Sequence, residues 1–155
     1  MPPSAGDRAP AFELLDHEGR VFASRQLKGQ PYVIYFYPKD NTPGCTREAQ
    51  DFRDQAASFA KLGMVVIGSS PDSSRSHLGF REKLGLGFSL LSDPERSVAQ
   101  AFGAYGLKKM MGKERMGIIR STFLIDEKGL IRRAWRGVRV DGHVAEVLEA
   151  AQQLR

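Results

Sequence analysis

Apolar residues along this chain come in short blocks separated by Gly, Pro and charge, and the blocks follow two periods. Residues 32–37 form an unbroken apolar run, the pattern of a strand in a sheet covered on both faces. A polar turn with Pro38, Thr42, Pro43 and Gly44 follows, and the spacing then becomes helical. Cys45, Ala49, Phe52, Ala56, Phe59 and Ala60 fall on one stripe, which Gly63 closes. Met64-Val65-Val66-Ile67-Gly68 reads as the next buried strand. Strand, helix, strand in that order predicts a right-handed crossover and parallel pairing.

The flanking blocks complete the pattern. Phe12-Glu13-Leu14 and Val21-Phe22 flank Asp16-His17-Glu18-Gly19, which predicts a short N-terminal hairpin. Ser24 caps a brief helical turn through Leu27 that Gly29 ends. Ser70-Pro71-Asp72 opens a second helix running to about Leu84, with Leu78, Phe80 and Leu84 apolar. Ser89-Leu90-Leu91 is a short strand, and Asp93-Pro94-Glu95 starts a third helix that reaches about Phe102. Residues 103–119 are rich in Gly, Lys and Met without clear periodicity, so a long loop is expected there. Two strands, 121–125 and 130–135, turn around Asp126-Glu127-Lys128-Gly129. A last helix from Asp141 buries Val144, Val147, Leu148 and Ala151. One α/β domain spanning residues 1–155 accounts for the pattern, with no repeats or linkers.

Composition narrows the class. A length of 155 residues suits one domain with a sizeable core, and 41% apolar with 26% charged residues is typical of a globular protein. No apolar run approaches the ~20 residues that cross a bilayer, and residues 1–10 lack the apolar segment of a signal peptide. A cytoplasmic protein without membrane contact is expected. The single cysteine excludes an intrachain disulfide and cysteine-based zinc sites. His17, His77 and His143 lie far apart without metal-ligand spacing, so neither metal nor cofactor is expected. The net charge of +5 is uneven: residues 107–139 hold ten bases against three acids, +7, which leaves −2 elsewhere. A solvated basic face explains this better than nucleic-acid binding, since no groove-reading motif accompanies it. Met110, Met111 and Met116 read as loop packing, His77 as a surface residue, His17 and His143 as turn and helix-start residues, and Trp135 as packing on an edge strand. Tyr37 either lines a pocket or ends the strand.

The candidate chemistry lies where the first core strand meets its helix, because Cys45 heads that helix on its inward side. Unpaired backbone N–H groups and the positive end of the helix dipole there favour an anionic sulfur. Pro38 can cover that sulfur without offering a competing N–H. The Thr42 hydroxyl can donate and accept, which suits steering an attacked oxygen. Glu48, one turn after Cys45, suits holding an arginine beside the sulfur.

Tyr-Pro-Lys-Asp-Asn-Thr-Pro-Gly-Cys-Thr-Arg-Glu (37–48), followed by Asp51-Phe52-Arg53-Asp54, closely resembles the peroxiredoxin Q family, also called bacterioferritin comigratory proteins. A second block, Gly117-Ile118-Ile119-Arg120-Ser121-Thr122-Phe123-Leu124-Ile125-Asp126, is also similar to that family, and weaker similarity extends over nearly the full length. The resemblance implies a thioredoxin-like fold, a mixed central sheet flanked by helices with an N-terminal hairpin extension, and reduction of hydroperoxides. It implies that Cys45 is the peroxidatic cysteine, Thr42 and Pro38 its motif partners, Arg120 the active-site arginine and Glu48 the support of that arginine. It also implies a monomer.

One departure matters. Many members carry a resolving cysteine five residues after the peroxidatic one, where this chain has Gln50; others place it in the next helix, where this chain offers Ser76, Phe80 and Arg81. Five helical residues separate Cα atoms by roughly 7.5 Å along the axis and about 140° around it, beyond disulfide reach. Members with that spacing must unwind the helix at each turnover, and this chain need not. The expected cycle oxidises Cys45 to a sulfenic acid with a small hydroperoxide. An external thiol, glutathione, a glutaredoxin or a thioredoxin, then recycles it. The alternative is a peroxide sensor or relay that passes its oxidation to a partner protein by mixed disulfide.

Overall fold

The structure, a computed structural model, describes residues 2–154, apart from the side chain of Met110. The first core strand, β3 (Tyr32–Phe36), is buried at every position, which is why its sequence shows no polar alternation. Its side chains still divide by period two. Val33, Tyr35 and Tyr37 enter one core cluster, and Tyr32, Ile34 and Phe36 the other. β3 lies parallel to β4 (Val65–Ser70) and antiparallel to β8 (Ser121–Ile125). β4 is in turn parallel to β5 (Ser89–Ser92). The N-terminal hairpin, β1 (Glu13–Asp16) and β2 (Val21–Ala23), extends the sheet beyond β5, and β9 (Ile131–Arg136) closes the far edge beside β8. The seven strands run in the order β2-β1-β5-β4-β3-β8-β9.

Helices cover this mixed sheet. Residues of α1 (Pro43–Asp54), α2 (Ala56–Lys61), α3 (Ser74–Leu84) and α5 (His143–Gln153) join the core cluster of Tyr35. The opposite cluster takes Leu27 from the short 3-10 turn (Ser24–Leu27) and Val98 and Ala99 from α4 (Ser97–Ala101). The expected α/β architecture and hairpin extension are therefore present.

Several local expectations are corrected. The helix from Pro43 to Gly63 is interrupted at Gln55, whose N–H reaches Asp51 O and Phe52 O. The break turns the stripe: Phe59 stays buried while Ala56 and Ala60 are exposed. α3 begins at Ser74 rather than Ser70, because Ser73 is its cap and accepts from Ser76 N–H at 3.1 Å. α4 begins only at Ser97, although Asp93 still serves it, accepting from Ala99 N–H at 3.0 Å. α5 starts at His143 rather than Asp141. His77 is fully buried, not a surface residue.

The largest correction is in residues 103–119. They form a separate hairpin, β6 (Tyr105–Met110) and β7 (Lys113–Ile118). Leu107 pairs with Met116 and both are exposed, while Lys108 pairs with Arg115. Both faces are largely wet, so the usual alternation that announces a strand is absent. Its two-residue turn has φ of 52° at Met111 and 78° at Gly112. Two left-handed residues in a row fit a type I′ turn, which Asn-Gly normally marks and Met-Gly does not. Replacing the fully exposed Met111 by Asn should therefore stabilise the protein by an amount on the order of 0.5–1 kcal/mol. Denaturant titration checks it; a lower midpoint would contradict the turn assignment.

Candidate active site

The site forms where the end of β3, the start of α1 and the start of β8 converge. Thr42 is the N-cap residue of α1, with extended φ and ψ, and Pro43 occupies the first turn, where its missing N–H costs nothing. Thr46 is the first residue whose N–H reaches back into the helix, to Thr42 O at 2.8 Å. The N–H of Cys45 therefore lies in the turn whose donors have no helical partner. Cys45 is 1% exposed and is a free thiol.

Arg120 crosses from the residue before β8 to meet that sulfur. Its Nη2 donates to Cys45 Sγ at 3.4 Å and its Nη1 to Glu48 Oε1 at 2.7 Å. The guanidinium thus spans two groups that the helix places one turn apart. Gly44 leaves room for this approach: a Cβ there would lie 3.2 Å from Arg120 Nη2 and crowd it. The sequence pattern puts Gly44 in the polar turn, whereas it lies in the first turn of α1.

The electrostatics of the pair are asymmetric. Burial pushes the Glu48 carboxyl up to about 7, with Arg120 pulling the other way. The reason is geometric: Oε1 is hydrogen-bonded, while Oε2 is buried without a partner among the described residues. For Arg120, burial works against the charge, but Glu48 and Cys45 together outweigh it and raise its pKa. The guanidinium is the fixed charge and the carboxylate the adjustable one.

Thr42 and Pro38 border the same turn. The Thr42 hydroxyl donates to Lys39 O at 2.7 Å, so its lone pairs remain free to accept. Pro38 is half-buried where the chain leaves β3. Tyr37 is a core residue; its hydroxyl donates to Asp40 Oδ1 at 2.6 Å. Trp135 is half-buried on edge strand β9, with the Arg133 guanidinium 4.8 Å from its ring centre. His143 is buried at the first residue of α5, within 2.8 Å of Thr122 Oγ1, and burial lowers its pKa to about 4.

Lys108, one of the ten bases of residues 107–139, lies on the β6–β7 hairpin rather than in a loop. It is half-buried, and its pKa is lowered by burial and by Arg120, with Cys45 opposing. Gln50 lies on α1, and Ser76, Phe80 and Arg81 lie on α3. The donor atoms of Asp40, Asp72 and His77 lie within 4.8 Å of one another, but proton donors from neighbouring groups already engage them. No helix among the described residues is long and apolar enough to cross a membrane.

Known proteins resemble this chain over most of its length. The model of the AhpC/TSA family matches residues 5–134. The chain is 51% identical over 149 residues to the peroxiredoxin Bcp of Bacillus subtilis, covering 96% of this chain and 95% of that protein. It is 47% identical over 126 residues to the peroxiredoxin Bcp of Xanthomonas campestris, covering 81% and 79%. Among solved structures, a mutant of Xanthomonas campestris peroxiredoxin Q superposes with a TM-score of 0.91 at 40% identity, covering 98% of this chain and 99% of that one. A Xylella fastidiosa PrxQ mutant superposes at 0.92 with 35% identity, covering 99% and 98%. A further structure, from work on alkyl peroxide reduction by the Xanthomonas campestris bacterioferritin comigratory protein, gives 0.87 at 42% identity, covering 92% and 90%. The sheet and its flanking helices are thioredoxin-like.

Two outcomes follow from the Arg120 geometry. Gly44→Ala should push Arg120 by a few tenths of an ångström and so slow the reaction of Cys45 with hydrogen peroxide. The helical gain from Ala and the crowding of Arg120 should keep the change in stability within about 1 kcal/mol in either direction. Stopped-flow oxidation beside thermal melts separates the two effects. Glu48 holds a proton in the folded state between about pH 4.5 and 7 that the unfolded chain has released. Stability should therefore fall as pH rises through that window, and Glu48→Gln should lack this part of the slope in melts against pH.

Proposed function

The chain belongs to the AhpC/TSA family, in its peroxiredoxin Q or bacterioferritin comigratory branch, and is a thiol-dependent peroxidase; on that premise we propose that it works by a one-cysteine cycle at Cys45. The observation that supports this most is the single guanidinium bridging Cys45 Sγ and Glu48. Hydrogen peroxide and organic hydroperoxides are the substrates in this reading.

In the first step the Cys45 thiolate attacks the terminal oxygen of the hydroperoxide. The O–O bond breaks, the sulfur is oxidised by two electrons to the sulfenic acid, and the leaving oxygen takes a proton to become water or an alcohol. Arg120 and the Cys45 N–H face the place where charge develops, in a site largely shut off from water. Thr42, with its own hydrogen committed to Lys39 O, accepts the hydrogen of the terminal oxygen and so aims it at the sulfur. Pro38 covers the sulfur without supplying an N–H. Glu48 holds Arg120 in place.

An external thiol next condenses with the sulfenic acid and releases water. A second thiol exchanges with the mixed disulfide, freeing Cys45 and carrying away the two electrons' worth of oxidation as its own disulfide. The residues at positions 50, 76, 80 and 81 favour this external route, since none offers a thiol. Glutathione, a glutaredoxin or a thioredoxin fits the role, and Lys108, half-buried near Arg120, favours an anionic reductant. In this reading residues 1–155 form one working domain, monomeric and cytoplasmic, where reduced thiols are abundant.

Purified protein offered glutathione, glutaredoxin and thioredoxin systems separately tests the proposal. Sustained peroxide consumption with at least one of them is expected, and Cys45→Ser should abolish it. Retained turnover in that variant would refute the cycle. One oxidation followed by a stable adduct with another protein would instead indicate a relay that hands its oxidation on.

A further inference from the structure

The turn that carries Pro38 and Thr42 is held from outside the site, through Asp40. The Asp40 N–H donates to Asp72 Oδ2 at 2.8 Å. Its Oδ1 accepts from Tyr37 Oη at 2.6 Å, and its Oδ2 accepts from Ser76 Oγ at 2.8 Å. The same Oδ2 lies 2.8 Å from His77 Nδ1. The side chains of Asp40 and His77 are 1% and 0% exposed. Tyr37 directly follows β3, Asp72 lies in the loop after β4, and Ser76 and His77 are in the first turn of α3. Asp40 therefore ties three segments around the turn, its carboxylate holding Tyr37 and α3 and its N–H holding Asp72. The next residue, Asn41, has φ of 64°, a left-handed conformation that needs such support.

Counting hydrogens assigns the state of His77. Its Nε2 lies 2.9 Å from Leu91 O, a carbonyl that can only accept, so Nε2 carries a hydrogen. One hydrogen must then lie between Nδ1 and Asp40 Oδ2. Because Oδ2 also accepts from Ser76 Oγ and Oδ1 from Tyr37 Oη, the acceptor pattern is that of a carboxylate and places the hydrogen on Nδ1. Tyr37 does not supply that hydrogen: its hydroxyl is 3.4 Å from Nδ1 and has its hydrogen on Asp40 Oδ1. We propose that His77 is an imidazolium ion-paired with Asp40, and that this buried pair is a positioning element for the peroxide-steering turn, with His77 as a positioning residue that touches neither sulfur nor substrate. The inference rests on the peroxidatic role of Cys45 given above.

Other charged groups near His77 do not replace Asp40 as its partner. Asp72 is engaged by the Asp40 N–H and by Ser70 Oγ. Arg81, one turn along α3, donates to Phe88 O. His17, in the β1–β2 turn with Asp16 and Glu18 beside it, has its Nδ1 3.5 Å from Leu90 N. With the pair intact, the Lys39 carbonyl that fixes Thr42 is held in place. With His77 neutral or replaced, a buried carboxylate loses its counter-charge and the turn its anchor.

The test combines nitrogen NMR with kinetics. In histidine-labelled protein at neutral pH, both ring nitrogens of His77 should be protonated. In Asp40→Asn the amide can donate to Nδ1, so Nδ1 should lose its hydrogen. His77→Gln should slow oxidation of Cys45 by hydrogen peroxide about tenfold or more, the scale expected when a reacting oxygen is misplaced. Its alkylation by iodoacetamide should stay near the wild-type rate, because Arg120 and the sulfur are untouched. A general loss of structure would instead expose the buried sulfur and speed alkylation while peroxide oxidation falls. An unprotonated Nδ1 in the wild type, wild-type oxidation in His77→Gln, an alkylation rate that departs from wild type along with the oxidation rate, or a shift of the His77 signals on adding zinc would overturn the proposal. If His77→Gln does not fold, the nitrogen signals of the wild type and Asp40→Asn decide. If the wild type itself consumes no peroxide, the proposed function fails while the NMR result still stands on its own.

Discussion

One guanidinium shared between a sulfur and a buried carboxylate fixes the relation of the two halves of this fold. Cys45 and Glu48 are a turn apart on α1, and Arg120 precedes β8. β8 lies antiparallel to β3, the strand that delivers the chain to α1. The ion pair therefore spans the joint between the parallel part of the sheet and its antiparallel edge. Removing any one partner leaves an uncompensated charge or an unpaired donor in a site with little water, which is costly. The carboxylate reaches into the helix–sheet core, so the arginine is held from the interior and turned toward the sulfur.

The sequence showed this joint clearly because its signals are local. An apolar run, two prolines, a glycine and a helical stripe lie within thirty residues of each other, and each has a physical reading of its own. Arg120 was reached only by resemblance, since nothing in its neighbours distinguishes it from a surface charge before the fold brings it to Cys45. His77 was misread for the same reason. Its partner Asp40 is 37 residues away, and neither residue's neighbourhood hints at the other. The β6–β7 hairpin escaped because its pairing buries little and its turn uses Met111 where a small polar residue is usual. The interruption at Gln55 has no proline or glycine to announce it.

Reactivity and rigidity are divided between separate groups. Arg120 joins Cys45 to Glu48, while Asp40 joins Tyr37, Ser76 and His77 and braces the turn that, in the proposed cycle, steers a peroxide. The first set meets at α1 and β8, and the second at β3 and α3. The turn between Pro38 and Thr42 leads from Asp40 into the first turn of α1, so in the proposed reading a change in α3 alters the approach of substrate more than it alters the sulfur.

The near-complete enclosure of Cys45, 1% exposed, introduces an asymmetry of access. A peroxide is little larger than water and can enter a closed pocket, but a thiol attached to a tripeptide or a protein cannot reach an enclosed sulfur. In the proposed cycle no disulfide has to form along α1, but an oxidised Cys45 would still wait for a smaller opening at the start of that helix, and the frequency of that opening would limit how fast the thiol is restored. Without a second thiol on the chain to trap the opened form, loading and unloading run on different clocks. Under a brief pulse of oxidant, such a protein would retain a memory of it for as long as the helix end stays closed.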